Sequence, residues 1–197
     1  MSYLWSFYSF PESQFGRVFG SDDAAVEKLA IEAATWEEAG FTDPGAAGEL
    51  AARIVRKGIS YDGLTTQEAS LLDDLILILF SPEGLWETLS IEPESPDGLH
   101  PEIVEEVAQH VSPEEAQNLL PYLIHGRRFN NGGKPTGEVY CVLSPPEVSS
   151  LVGTVRAAVE RADRWSEPYV PEVIQECLID VLDQAVEKKR WCIGFLS

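Results

Sequence analysis

Apolar residues recur along this chain at two spacings, and those spacings predict its elements. The first ten residues are half aromatic (Tyr3, Trp5, Phe7, Tyr8, Phe10), and Leu4 blurs strict alternation, which is the pattern of a core strand buried on both faces. Pro11 stops a strand ladder and opens a helix. Ser21-Asp22 offers an N-cap to a helix with Val26, Leu29, Ala30 and Ala33 at helical spacing, ended by Gly40. Asp43-Pro44 starts a second helix with Leu50, Ala51, Ile54 and Val55 on one face and Gly58 at its close. Thr65-x-x-Glu68 is a capping box that introduces a helix to Phe80. Its face of Leu72, Leu75, Ile76 and Leu79 is widened by Leu71 and Ile78, so it is expected to be central and nearly enclosed.

Prolines and glycines over 81–99 predict a loop around one short element near Leu85–Leu89. Pro101 then starts a helix with Ile103, Val104, Val107 and Val111 inward, and Ser112-Pro-Glu-Glu115 boxes the next, with Ala116, Leu119, Leu120 and Leu123 apolar. Gly126–Gly137 forms a glycine-rich loop, Glu138–Leu143 is built of strand formers, and Ser144-Pro-Pro-Glu147 caps a helix with Val148, Leu151, Val152, Val155 and Val159 inside. Beyond Pro168 and Pro171, Ile174, Cys177, Leu178, Val181, Leu182 and Ala185 keep the i, i+3, i+4, i+7 rule, and Lys188-Lys189-Arg190 complements the negative helix end. Trp191–Leu196 reads as a last strand.

These elements predict a single α+β domain over 1–197: a small sheet containing the N- and C-terminal strands and a strand near 138–143, covered by about eight helices, with the acidic middle, 58–126, as a lobe. A chain of 197 residues buries roughly 70% of its unfolded surface, so it needs neither metal nor disulfides to fold. Cys141, Cys177 and Cys192 are odd in number and lie in apolar stretches, which predicts reduced, buried thiols of a cytoplasmic protein. The longest apolar run, Leu75–Phe80, is too short for a bilayer, and the N-terminus lacks the cationic start of a signal peptide, so neither membrane nor export is expected.

Charge changes the picture most. Lys and Arg number 14 against 33 Asp and Glu, a net charge of −19, which disfavours nucleic acid as a partner because phosphate must be met by cations. Between Gly58 and Gly126 there is no Lys or Arg, while 14 acids fall there. Asp62, Glu68, Asp73 and Asp74 open the stretch, and Glu83, Glu87, Glu92, Glu94, Asp97, Glu102, Glu105, Glu106, Glu114 and Glu115 are the candidate partner-binding face. Such a surface is either merely solvated or a dock for a basic protein.

Other constellations are weaker. Gly126–Thr136 has Arg128 where a phosphate loop needs its first glycine, Pro135 after the lysine, and a strand to follow, so a nucleotide site is not expected. His125, Arg127, Arg128 and Lys134 remain a candidate site for a small anion or carboxylate, or else partners for the chain's own surplus acids. His100, His110 and His125 lack ligand spacing, so no metal is expected; His100 reads as a cap and His110 as an exposed helix residue. Asp73-Asp74 point about 100° apart on a helix and mark its solvent face. Trp36, Trp86, Trp165 and Trp191 read as core and edge aromatics. No Gly-x-Ser-x-Gly elbow anchors a triad, and neither a catalytic residue nor a cofactor is expected.

The opening strand and Pro-led helix with Gly-Ser-Asp-Asp23, the glycine loop, the strand Val-Tyr-Cys-Val-Leu and the helix start Ser-Pro-Pro-Glu-Val, with a long terminal helix and last strand, resemble the bacterial YfbM-like proteins. The resemblance covers about 75 residues, mainly the N-terminal strand and helix and 126–148. It implies an α+β bacterial domain and carries over no catalytic residue. The functional expectation is a non-enzymatic interaction module, of the toxin-neutralising or immunity kind, using its acidic face. The alternative is a small-molecule binder or enzyme using the 125–137 loop.

Overall fold

A computed structural model describes residues 4–13, 21–35, 42–80, 99–128, 133–135 and 140–196, and for 77–80 the backbone alone. It is an α+β structure with a three-stranded antiparallel sheet. The chain divides into two compact units, one formed by 1–11, 94–128 and 133–197, the other by 12–93 and 129–132.

In the first unit, β1 (Trp5–Phe10), β2 (Tyr140–Leu143) and β3 (Trp191–Leu196) lie in the order β1-β3-β2, so the last strand is the middle one. Phe7 pairs with Gly194, and Gly194 with Cys141, across the three strands. β1 alternates buried and half-buried positions before two buried ones, so neither of its faces is open to solvent, as expected of that strand, and all of β2 is buried. Trp5, Phe7, Cys141, Leu143 and Cys192 join one hydrophobic core with five helical segments: α4 (Pro101–Gln109), α5 (Pro113–Leu123), α6 (Pro145–Arg161), α7 (Val170–Ile174) and α8 (Asp180–Glu187). Complete burial of a large apolar side chain contributes about 1.5–3 kcal/mol, and Trp5, Phe7, Leu119, Leu123, Leu151 and Leu182 are each 1% exposed or less.

Between α7 and α8 the hydrogen bonding widens to a π-turn at Gln175–Ile179. The 3.6-residue pattern predicts an unbroken helix with Cys177 inward; the wide turn instead buries Ile179 beside Leu178 and leaves Cys177 half-buried. The helix end holds another departure. Lys189 stands at φ 50°, in the left-handed region, while Arg190 N–H donates to Ala185 O at 2.8 Å and Lys189 N–H to Val186 O at 3.1 Å. That is the Schellman closure, with lysine where glycine is usual.

In the second unit, α1 (Ala24–Thr35) packs along α2 (Pro44–Lys57), and both touch α3 (Thr66–Phe80). Asp43 caps α2, accepting from Ala46 N–H at 3.0 Å, and Gly58 closes it at φ 78°. The Thr65–Glu68 box forms as expected, with Thr65 N–H donating to Glu68 at 2.8 Å. The start of α1 lies later than Ser21-Asp22 suggests: Asp23 accepts from Ala25 N–H at 2.8 Å, and Ser21 accepts from Asp23 N–H. Residues 12–13 are helical after Pro11, while the rest of that helix, the Gly40 stop and the element near Leu85–Leu89 lie outside the described residues.

Asp73 requires a correction. It is fully buried, not on a solvent face, because the Tyr61 hydroxyl donates to its carboxylate at 2.8 Å. Adjacency to Asp74 said nothing of a tyrosine twelve residues upstream.

Candidate functional site

The glycine-loop cations come first. Gly126 follows α5 at φ 71°, and Arg127 N–H then donates to Tyr140 O at 2.7 Å, fastening the loop to the edge of β2. The Arg127 guanidinium donates to the Glu147 carboxylate and to the Tyr122 hydroxyl, and lies 5.2 Å from the centre of the Tyr122 ring. Tyr122 in turn donates to Glu147 at 3.0 Å. The other Glu147 oxygen accepts from Ser144 N–H at 2.8 Å and Ser144 O–H at 2.7 Å, which is the predicted cap. Burial, followed by the Glu147 charge, pushes the Tyr122 hydroxyl up to about 12, so it stays protonated and donates. Arg127 is therefore engaged by the protein's own acid. His125 and Lys134 are exposed, and Arg128 N–H donates to Gly133 O at 2.8 Å.

The acids divide too. Glu83, Glu87, Glu92, Glu94 and Asp97 lie outside the described residues. Glu115 serves the Ser112 capping box and pairs with Arg161, which with the Ser112 amide and hydroxyl draws its carboxyl down to about 2. Glu106 accepts from the Ser166 amide and hydroxyl, the latter at 2.7 Å. Glu102, Glu105 and Glu114 are exposed and make no ion pair or side-chain hydrogen bond among the described residues. They stand on α4 and α5, which hold no Lys or Arg.

Beside Glu102 and Glu106 lies a groove of about 550 Å³ between α4 and the 164–170 segment, floored by Ile103 and Val170. Pro101 at the first helical position sets α4, with His100 at its N-cap; the His100 side chain makes no capping hydrogen bond. His110 ends α4 and corrects the expectation of an exposed residue: it is half-buried, edge-on to Trp165 with ring centres 4.8 Å apart. Tyr169, the one large apolar residue strongly exposed among the described residues, is 56% accessible and lines the same groove with Arg164.

Comparison with family models, with curated proteins and with solved structures finds no match.

The groove was not anticipated from sequence. Its signal was Arg-Trp-Ser (164–166) and Tyr169 in a proline-bounded connection, which regular spacing overlooks. No group of three or more His, Cys, Asp or Glu side chains among the described residues is arranged to hold a metal ion. Burial raises the Cys141 thiol far above its ordinary value and the Cys192 thiol to about 12, so neither supplies a thiolate nucleophile at neutral pH. No helix of the described residues is long and apolar enough to cross a membrane.

Proposed function

We propose that this chain is a cytoplasmic, non-enzymatic interaction module, of the toxin-neutralising or immunity kind, that docks a basic protein on the acidic side of α4 and α5. The observation that carries this is the uncommitted state of Glu102, Glu105 and Glu114 on two helices without a cation. Ion pairs form at Glu27, Glu147 and Asp183, and at Glu115 on α5 itself, with Arg56, Arg127, Arg156 and Arg161. Where carboxylates lack internal partners, a cationic surface gains steering and complementarity. The glycine-loop alternative loses support, since its best-placed guanidinium already holds Glu147. A YfbM-like relationship, proposed on 126–148, assigns no activity and is compatible with this reading.

Capture from the source cell is the test, at low salt and at about 0.5 M, where the Debye length shrinks to roughly 4 Å. A basic protein retained by the native chain, released by salt and lost from a Glu102→Gln, Glu105→Gln, Glu114→Gln triple variant is the expected result. Capture indifferent to salt and to the triple variant overturns the proposal.

A further inference from the structure

We infer that the groove between α4 and the 164–170 segment takes one arginine side chain of the partner, from a segment that also bears an acid nearby. This rests on the docking proposal above and goes beyond it, because general attraction to an acidic surface requires no pocket.

Three observations converge. Trp165 and the exposed Tyr169 supply aromatic surface, and aromatic rings attract a cation most strongly where water is partly excluded. Glu102 supplies a carboxylate on the same rim, with no partner among the described residues. Glu106, by contrast, is held by Ser166 and fixes the segment that carries both rings. A planar guanidinium stacks on a ring while its N–H fork meets a carboxylate, a combination that a lysine ammonium does not match.

Arg164 sets the second requirement. It lines the groove yet pairs with neither Glu102 nor Glu106, and it makes no other ion pair or side-chain hydrogen bond among the described residues. Arg164 and Glu102 thus share the lining of one groove without an ion pair between them. The Arg164 guanidinium repels a uniformly basic tract and favours one with an acid beside the arginine. Selection therefore comes from paired opposite charges and not from net positive charge alone.

The test uses the full chain with blocked pentapeptides Ala-Arg-Ala-Asp-Ala, its lysine and norleucine counterparts, and Ala-Arg-Ala-Arg-Ala, followed by the indole N–H signal of Trp165 in nitrogen–proton spectra. The arginine–aspartate peptide is expected to shift that signal and to bind more tightly than the lysine and two-arginine peptides; the norleucine peptide leaves it unmoved. Tyr169→Ala and Glu102→Gln should each weaken binding by about fivefold, on the scale of one cation–ring or charged contact. Tyr169 is mostly in solvent, so its removal leaves the fold intact. Equal shifts from the norleucine peptide, or binding unaffected by both variants, overturn the inference. Arginine peptides that shift signals near Glu105 and Glu114 but leave Trp165 unmoved overturn the groove assignment alone, and the docking proposal stands on its salt-sensitive capture.

Discussion

Phe7 and Gly194 face each other across β1 and β3, and the Phe7 ring occupies the place a side chain at 194 would need. A Cβ on Gly194 would lie 2.6 Å from Phe7 Cε1 and 2.9 Å from Cys141 Sγ. The middle strand must therefore be bare at this point for its neighbours to close over it.

Gly194→Ala is accordingly expected to destabilise the protein by about 1–3 kcal/mol, the usual cost of overpacking a core. Urea denaturation followed by circular dichroism measures it, and Phe7→Leu in the same chain should recover part of the loss. An unchanged midpoint would show that the ring can move aside.

Arg127, Tyr122 and Glu147 form a half-buried knot between the glycine loop and the start of α6. Arg127→Met should cost about 2 kcal/mol, since it strands a carboxylate and a hydroxyl that share the guanidinium. A lower urea midpoint at constant slope is the signature.

Acid should unfold the protein through the same capping carboxylates. Burial alone would raise Glu147, but the Ser144 amide and hydroxyl and the Arg127 guanidinium outweigh it, and the carboxyl lies below its ordinary value. Glu115 lies at about 2, held down by Arg161 and Ser112. A depressed folded value means that the unfolded chain binds more protons in this range. The stability these groups contribute is full above about 4.5 and is lost as the pH falls toward 2. Glu147→Gln should flatten the stability profile in that window, and a profile of unaltered slope would discount its role.

Lys189→Gly should stabilise, by about 1 kcal/mol, because lysine is strained in the left-handed position that closes α8 while glycine is not. Thermal melting would register a higher midpoint; a lower one would mean that the lysine side chain earns its place by a contact outweighing the strain.

The thiols should divide by burial. Native protein is expected to modify at Cys177 alone with an aromatic disulfide reagent, and at Cys141 and Cys192 only after unfolding. Three reactive thiols in the native state would contradict the buried strand positions.

Much of the architecture was legible because it depends on residues close in sequence. Asp43-Pro44 with Gly58, Thr65 with Glu68, Ser112 with Glu115 and Ser144 with Glu147 each set a helix boundary through atoms within one turn, or at the two ends of one helix. Strands at both termini and near 140 were likewise readable from runs of aromatic and β-branched residues. The sequence alone also determined the asymmetry of charge, since a cation-free run of 69 residues survives any folding.

Tertiary structure decided what those groups face. Tyr61 buries Asp73, Arg127 is claimed by Glu147 twenty residues on, and Arg161 by Glu115 across forty-six. Ser166 comes from sixty residues away to hold Glu106, which brings Trp165 and Tyr169 against α4 and makes a groove of them. Periodicity records which side of an element is apolar, because neighbours on one helix or strand share a fixed geometry. It holds no record of which distant charge arrives, because that pairing exists only once the chain has closed its long loops.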